Sequence, residues 1–188
     1  MFPKRCAALL PLLLITAVAS SARADPAPSA PVVPAPSAPV PALARSWPVG
    51  VRPAVVRGWE PPPTAYARGH RGVDLAAPAG APVRAAAAGR VLFAGRVAGR
   101  GVVSVDLAGT DLRTTYEPVT ASVRKGDVVA AGAVVGRVEA AGSHCAVTCV
   151  HWGLLRGRSY LNPLSLLPPW LLRGGPSRLL PVWGVPVP

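Results

Sequence analysis

The segment Val102-Val103-Ser104-Val105-Asp106-Leu107 indicates the fold of this 188-residue chain more clearly than any other stretch. It is rich in β-branched residues, and its apolar positions partly alternate with polar ones, which is typical of a β-strand. The segment Leu112-Arg113-Thr114-Thr115-Tyr116 alternates less regularly but is again rich in strand-forming residues. We therefore predict a strand at each of these two segments.

Short apolar stretches bounded by glycine extend the same pattern over the middle of the chain. They are Pro82–Ala86, Arg90–Ala94, Asp127–Ala130 and Val134–Val138. The 24 prolines and 19 glycines of the sequence would interrupt long helices, which argues against a helical bundle or a coiled coil. The predicted fold class is mainly β, in the form of a small antiparallel β-sandwich or folded-sheet domain.

The N-terminus has the order of features found in a secretory signal. A short basic region precedes an apolar run over residues 7–19, and Ala22-Arg23-Ala24 offers small residues at the spacing that a signal peptidase recognises. We therefore predict a cleaved signal peptide over residues 1–24 and a secreted, extracellular protein. The apolar run is shorter than the roughly 20 residues that a membrane-spanning helix requires, so no transmembrane segment is expected.

Composition divides the rest of the chain into three parts. Residues 25–46 contain a proline every two to five positions and predict an extended spacer that cannot bury a core. The glycine-bounded apolar stretches predict a folded domain over residues 47–168, and the prolines within residues 169–188 predict an irregular tail.

The chain is strongly basic, with 20 lysines and arginines against 8 acidic residues and a net charge of +12. The arginines are scattered and aromatic residues make up only 5% of the sequence, so the interleaved pattern of single-strand-binding proteins is absent. We therefore expect no nucleic-acid partner. A solvated basic surface accounts for such a charge, and attraction to an anionic cell-wall polymer is the functional alternative.

Two histidines and one aspartate form a candidate metal site. His70 and Asp74 are four positions apart, which would put both on one face of a strand. A straight strand would separate their Cα atoms by about 13 Å, and Gly72 between them permits a bend that shortens this distance. With His151 they would give Zn²⁺ three ligands and leave a fourth position for water, as in catalytic zinc sites. The alternative is that these are three unrelated polar residues.

The residues around this candidate site resemble those of a known enzyme family. The stretch Gly69-His70-Arg71-Gly72-Val73-Asp74-Leu75 looks like the Gly-His-x-Gly-x-Asp motif of the M23 peptidases, which are peptidoglycan endopeptidases of the lysostaphin and LytM type. Further similarities follow in the family's order at Pro78–Ala85, Gly89–Val91, Val123–Val129, Val150–Trp152 and Asn162–Pro163. The ordered set makes the resemblance specific, whereas one motif alone would be weak.

This resemblance implies a β fold of the barrel-sandwich hybrid-like type and a Zn²⁺ ion bound by His70, Asp74 and His151. It also implies an endopeptidase that hydrolyses peptide bonds of bacterial peptidoglycan. The expected partner is accordingly a peptidoglycan peptide, and the expected location is outside the cell in association with the cell wall. We expect the protein to be a monomer.

Two positions depart from the pattern of the family. Its His-x-His motif begins with a histidine that assists catalysis, and Cys149 stands at that position here. The histidine of its Tyr-x-His motif is replaced by Pro118. His144 is our candidate replacement, because it is the only histidine outside the expected ligand set. Glu117 is a second candidate, as a general base, although strand alternation would point it away from the relevant face.

The cysteines bear on the same site. Cys145 and Cys149 are the two that remain after removal of the signal peptide, and an even number in an exported chain predicts a disulfide. Its closed loop is short, so the bond would constrain local geometry more than it stabilises the whole domain. In one alternative, Cys149 ligates zinc, closes the site and makes the metal structural, and in the other both cysteines are free thiols.

Two other functions are compatible with parts of the sequence. A degenerate family member would bind the cell wall or regulate another hydrolase without cutting. A biotinyl or lipoyl carrier is suggested by the turn around Gly126–Val129, but such carriers need a lysine at the tip of a turn, usually beside a methionine. Lys125 is the only lysine of the mature chain, and Met1 is the only methionine.

Overall fold

A computed structural model describes residues 38–64 and 67–173 of the protein. The predicted signal peptide, the first part of the predicted spacer and the tail beyond residue 173 lie outside the described residues. Among the described residues, no helix is both long enough and apolar enough to cross a membrane.

The described part of the chain is built almost entirely from eleven β-strands. In chain order they are β1 (Val55–Arg57), β2 (Val73–Ala76), β3 (Pro82–Arg84), β4 (Gly89–Val97), β5 (Arg100–Leu107), β6 (Leu112–Glu117), β7 (Val119–Ala121), β8 (Val128–Val129), β9 (Val134–Val138), β10 (Cys149–Arg156) and β11 (Ser159–Leu161). A 3₁₀ turn over Pro163–Leu166 and a single-turn helix α1 over Pro169–Arg173 follow them. The predicted strands at Val102–Leu107 and Leu112–Tyr116 are confirmed as β5 and β6.

The strands form two antiparallel sheets. The larger has eight strands in the order β1-β2-β10-β6-β5-β4-β8, with β11 paired to β10. The smaller has the order β3-β9-β7. The prediction of a mainly β, antiparallel domain is therefore confirmed. Strand β10 lies between β2 and β6, so residues of three distant chain segments meet along it.

One hydrophobic core draws side chains from both sheets. Val103 and Val105 of β5 are fully buried, as are Val83 of β3 and Val135 of β9. Burial of apolar surface of this kind is the main favourable term in folding. Within this core the Trp152 indole N–H donates to the Thr114 hydroxyl over 2.7 Å. The core thereby holds β10 firmly against β6.

The residues that precede the first strand also pack against this core. Ala44 is 1% exposed and its backbone N–H donates to the Leu166 carbonyl. The buried Trp47 ring meets Trp152 edge to face, with ring centroids 6.5 Å apart. Residues 38–46, which composition predicted as spacer, thus lie in one compact unit with the strands. Proline-rich sequence does not prevent packing where alanine and leucine between the prolines find an apolar surface.

The start of the predicted irregular tail is helical. Residues Pro169–Arg173 form α1, and its carbonyls accept hydrogen bonds from two side chains of the N-terminal segment. The Trp47 indole N–H donates to the Leu171 carbonyl, and the Arg52 guanidinium donates to the Leu172 carbonyl. These are carbonyls that a helix end leaves without a partner inside the helix, so the two ends of the described chain satisfy each other.

Candidate metal centre

Two neighbouring strands bring Asp74 and His151 together. The register of β2 and β10 pairs these two residues directly opposite each other. Side chains opposite each other on an antiparallel pair have Cβ atoms about 4.5–5.5 Å apart. Both strands are held by core residues on the other face, since Val73 and Leu75 of β2 and Val150 and Trp152 of β10 are fully buried. The hydrophobic alternation of β10 therefore orients His151 towards Asp74.

His70 reaches the same point from outside β2. The strand begins only at Val73, and His70 instead pairs with Glu60 in an isolated bridge with two backbone hydrogen bonds. The expectation that His70 and Asp74 share one strand face is therefore replaced by a turn before the strand. This turn shortens the distance between the His70 and Asp74 side chains, which is the effect that we predicted for a bend at Gly72.

Gly72 is required for close approach to β10. A Cβ atom at this position would lie 2.6 Å from Nε2 of His151 and would also overlap the Trp152 carbonyl oxygen. Real Cβ atoms do not occur at such separations, so a side chain here would push β2 away from β10. The glycine thus lets the turn that carries His70 lie directly on the strand that carries His151.

Three candidate ligand atoms converge at this point. Nε2 of His70 lies 3.1 Å from Oδ1 of Asp74 and 3.0 Å from Nδ1 of His151. The third side of the triangle, from Nδ1 of His151 to Oδ1 of Asp74, measures 2.8 Å. Asp74 is 1% exposed and His70 is 4% exposed, so the atoms meet largely out of contact with solvent.

The other nitrogen of His70 determines what this cluster can bind. Nδ1 lies 2.6 Å from the Gly58 carbonyl oxygen, which can only accept a hydrogen bond, so Nδ1 carries a proton. In the neutral ring Nε2 then presents a lone pair to the Asp74 carboxylate, which is also an acceptor. A positive species is needed between them, and either an added proton or a metal cation meets this need. A carbonyl that orients a ligating histidine is a common feature of metal sites.

The distances suit a small divalent ion. Zinc bonds to imidazole nitrogen and carboxylate oxygen are about 2.0–2.2 Å long, so neighbouring ligands of a tetrahedral zinc lie about 3.4 Å apart. The three separations in the cluster, 2.8–3.1 Å, are about 0.3–0.6 Å shorter than that value, so a small outward shift of the side chains would accommodate the ion. Two imidazoles and one carboxylate are also a donor set that zinc favours. The residues present therefore fit the metal.

His144 is the fourth member of the cluster. Its Nε2 lies 2.8 Å from Oδ2 of Asp74, the carboxylate oxygen that the other two histidines do not contact. The candidate ligand atoms of all four residues lie within 4.8 Å of one another. The His144 side chain is 35% exposed, against 13% for His151, so it lies at the open side of the site. The structure thus brings His144 to the predicted ligand set.

The carboxylate of Asp74 is held in its charged form. Burial raises its pKa, but hydrogen bonds with His151 and His144 and the charge of His70 lower it more, to about 2 from its usual 3.8. Hydrogen bonding to a charged carboxylate favours that form over the protonated one. Asp74 therefore remains an anionic ligand over the whole range of physiological pH.

The predicted disulfide between Cys145 and Cys149 is confirmed. Cys149 is fully buried at the start of β10, and its sulfur is bonded to that of Cys145. A sulfur atom in a disulfide is not a thiolate, which is the form that ligates zinc. The alternative in which Cys149 closes the metal site therefore does not apply to this form of the protein.

Glu117 lies outside the cluster, although it is the register partner of His151 on the β6 side of β10. Its Oε1 accepts a hydrogen bond from the Arg100 guanidinium over 3.0 Å. It is not among the residues whose ligand atoms gather around Asp74 in the described part of the chain. The structure therefore separates the two candidates for an assisting group, with His144 at the site and Glu117 in an ion pair.

Two features of the site have no signature in the sequence. One is the Gly58 carbonyl that orients His70, because a backbone group leaves no trace in residue types. The other is a cavity of about 370 Å³ over the open side of the site, lined by Val56, Arg57, Asp74, His144, Cys145, Ala146 and Val147. Its walls come from β1 and from the loop that precedes β10, and only the fold brings these segments together.

Comparison with known sequences finds related proteins over most of the described chain. Residues 68–163 match the family model for peptidase family M23. A Mycobacterium tuberculosis protein is 45% identical over 141 residues, which cover 72% of this chain and 54% of that protein. A Haemophilus influenzae protein is 36% identical over 94 residues, covering 50% of this chain and 23% of that protein. The chain thus spans about half the length of the mycobacterial relative.

Solved structures of similar fold include two proteins that are 27–28% identical to this chain. Helicobacter pylori Csd3 is 28% identical with a TM-score of 0.55, over 68% of this chain and 35% of that one. A variant catalytic domain of the prophage-encoded M23 protein EnpA from Enterococcus faecalis is 27% identical with a TM-score of 0.51, and the match covers 61% of this chain and 91% of that domain. The lysostaphin catalytic domain from Staphylococcus simulans shares the fold, with 22% identity and a TM-score of 0.53. That match covers 64% of this chain and 92% of the lysostaphin domain.

Proposed function

This chain belongs to peptidase family M23, and from that premise we propose that it is a zinc-dependent endopeptidase that hydrolyses peptide bonds of bacterial peptidoglycan. The observation that carries this proposal is the convergence of His70, Asp74 and His151, whose ligand atoms are 2.8–3.1 Å apart. A cluster of two imidazoles and a buried carboxylate with an open fourth side suits a catalytic metal better than a structural one.

The chain's own residues supply the binding and orientation. His70, Asp74 and His151 would hold the zinc, and the Gly58 carbonyl fixes which nitrogen His70 offers. When bound in a site of this kind, zinc lowers the pKa of its water towards about 7 and polarises the scissile carbonyl. The buried position of Asp74 and His70 excludes competing water from the inner side of the cluster.

His144 is the residue that we propose for proton handling. Its ring lies at the open side of the cluster and is partly exposed, so that it can contact a substrate in the adjacent cavity. Its hydrogen bond with Asp74 Oδ2 orients Nε2 beside the ligand set. A histidine is suited to general acid and base catalysis because its ordinary pKa is near neutrality. We give Glu117 no such role, since its carboxylate is paired with Arg100.

The family and the predicted export signal support our inference about the substrate and the location. Removal of residues 1–24 takes away Lys4, Arg5 and Arg23 and lowers the net charge from +12 to +9, and a protein of this charge would be attracted to the anionic polymers of a cell wall. We therefore propose that the mature protein is secreted and acts on peptidoglycan peptides. The cavity over the site has apolar walls at Val56, Ala146 and Val147, which suits small apolar side chains such as alanine.

Metal analysis combined with digestion of purified cell walls tests this function. We expect one zinc per mature protein and release of new amino groups from peptidoglycan, with both lost in His151→Ala. Chelation should abolish turnover, and added zinc should restore it. A protein that binds no stoichiometric zinc, or one whose turnover survives His151→Ala, would contradict the proposal.

A second candidate function rests on the two replaced helper positions. Cys149 and Pro118 stand where the resembled motifs have assisting histidines, which favours a member that binds the wall or regulates another hydrolase without cutting. The same digestion separates the two functions. Zinc-independent binding to sacculi, with no amino groups released from walls of several cross-link types, would establish the binding module.

A further inference from the structure

His144 lies in the loop between β9 and β10, where no strand pairing fixes its position. Residues 139–148 separate Val138 at the end of β9 from Cys149 at the start of β10. Asp74 and His151, in contrast, lie in strands with paired neighbours on both sides. The placement of His144 against Asp74 therefore requires contacts other than the sheet.

Both chain neighbours of His144 are tied to Cys149. Cys145 is joined to it by the disulfide. On the other side, the Ser143 hydroxyl accepts hydrogen bonds from the backbone N–H groups of Cys145 and Cys149, each over 3.3 Å. The same hydroxyl lies 3.2 Å from the Cys149 sulfur. The residue before His144 and the residue after it thus converge on a single anchor.

That anchor belongs to the framework of the metal site. Cys149 is fully buried in β10 and pairs with Ala76 of β2. It lies two residues from His151 in one strand, and Ala76 lies two residues from Asp74 in the other. A loop fastened at Cys149 is therefore fastened to the same pair of strands that carries the ligands.

We propose that the Cys145–Cys149 disulfide is a positioning device for His144, which holds its imidazole against Oδ2 of Asp74. The inference rests on the proposed function, because it assigns the two cysteines to the orientation of the assisting histidine and of a metal-binding carboxylate. Cys145 and Cys149 are then positioning residues, and His144 is the group that acts on the substrate. The full catalytic rate and the full zinc affinity belong to the oxidised protein.

The small size of the closed loop supports a local role. Stabilisation by loop closure rises with the length of the loop, and this disulfide spans a sequence separation of only four residues. Its effect on global unfolding should therefore be small, whereas its effect on the direction of the residue next to Cys145 should be large. A disulfide that served only overall stability would be expected to close a longer loop.

A double-mutant cycle tests the proposal. The variants are Cys145→Ala/Cys149→Ala, His144→Ala and the combination of all three substitutions. Two quantities are measured on each, namely the turnover of purified peptidoglycan and the zinc dissociation constant by competition with a chromogenic chelator. Residues that act as a unit give non-additive effects in such a cycle.

We expect the cysteine pair variant to lose most of the turnover that His144→Ala loses, and the triple variant to match His144→Ala. Loss of a group that orients a metal ligand typically weakens metal binding about 10–100-fold. We therefore expect zinc affinity to fall by this factor in the cysteine pair variant, in His144→Ala and in the triple variant alike. A cysteine pair variant with wild-type turnover and wild-type zinc affinity would overturn the proposal. Losses that multiply in the triple variant would also overturn it.

A second measurement keeps the test valid if the cysteine pair variant does not fold. In the metal-free wild-type protein, reduction with a phosphine should shift the imidazole resonances of His144 and leave those of His70 and His151 nearly unchanged. Unchanged His144 resonances after complete reduction would contradict the proposal. Because zinc affinity and these resonances are measured without turnover, failure of the peptidase function and failure of this inference are distinguishable.

Discussion

The strands β2 and β10 and the loop over residues 139–148 both contribute to the site, but they hold their side chains in different ways. Asp74 and His151 are paired residues of a sheet, and their strands are packed on the core. His144 is held by a disulfide and a serine hydroxyl outside any strand. The difference teaches that the proposed metal ligands Asp74 and His151 are positioned by the sheet itself, whereas the proposed assisting group His144 is positioned by the contacts of a loop with Cys149.

Asp74→Asn removes the negative charge from the strand-held part of the site, by which we mean Asp74 of β2 and His151 of β10. We expect this substitution to have the largest effect. Stoichiometric zinc should be lost, because an amide replaces the buried carboxylate in the ligand set. Activity should fall by more than the roughly 10²–10³-fold that loss of one assisting group costs. Elemental analysis and wall digestion measure both, with Asp106→Asn on the exposed face of β5 as the matched control. Zinc bound at one equivalent in Asp74→Asn would refute the ligand assignment.

His144→Ala tests the loop-held part of the site alone, which is His144 in the loop over residues 139–148. We expect the turnover number to fall by about 10²–10³-fold, because a single assisting group is lost. Zinc should still reach one equivalent at excess metal, since the three strand-associated ligands remain. Steady-state kinetics on peptidoglycan fragments and metal titration separate the two effects. If His144→Ala lost zinc as completely as Asp74→Asn, the distinction between the two regions would be wrong.

Gly72→Ala tests whether the turn that carries His70 must pack closely against β10. The added methyl group would meet Nε2 of His151 and the Trp152 carbonyl, so the turn must move away from β10. Overpacking of this kind costs about 1–3 kcal/mol in the free energy of unfolding. Urea denaturation measures the change, and Gly58→Ala is the control because a Cβ there meets nothing within 4 Å. Equal stability of the two variants would show that the close approach is unimportant.

The acid stability of the metal-free protein reports on the Asp74 carboxylate. Its pKa is about 2 in the folded protein against 3.8 as its usual value, so its charged form is favoured by folding. The resulting stabilisation is present above about pH 3.8 and is lost as the pH falls to about 2. It amounts to about 2 kcal/mol. Urea denaturation between pH 5 and 2 should show this loss in wild type, and a curve of the same shape in Asp74→Asn would exclude Asp74 as its source.

Glu117→Gln should have the smallest effect. The carboxylate lies next to His151 in the register but is paired with Arg100, and a partly exposed ion pair of this kind contributes about 0–1 kcal/mol. We expect kcat/KM on peptidoglycan to stay within about twofold of wild type, because the Glu117 side chain takes no part in the cluster. A tenfold fall with unchanged zinc binding would instead make Glu117 the general base.

Much of the fold was predictable because strand patterns are local. The stretches at Val102–Leu107 and Leu112–Tyr116 became β5 and β6, since alternating β-branched residues suit one half-buried face regardless of distant partners. The spacer prediction was less successful over residues 38–46. Composition reports how often prolines occur, but it does not report that Ala44 meets an apolar surface formed by residues far along the chain.

The site was predictable in its residue types and less so in its contacts. The spacing of His70 and Asp74 and the position of His151 indicated a cation site, and these residues do converge. Their approach from an isolated bridge with Glu60, rather than from one strand face, was not predictable. The contact between His144 and Asp74 joins residues 70 positions apart, and a loop path of this kind is decided by long-range packing.

The sequence by itself determined the class of fold, the family and the chemistry of the donor set, because short-range periodicity and motif order encode them. Only the tertiary structure decided that Gly58 orients His70, that His144 meets Asp74 and that Glu117 turns to Arg100. The physical reason is that these contacts depend on sheet register and loop closure. Both are set by the packing of residues distant in the chain, and no local pattern of side chains records them.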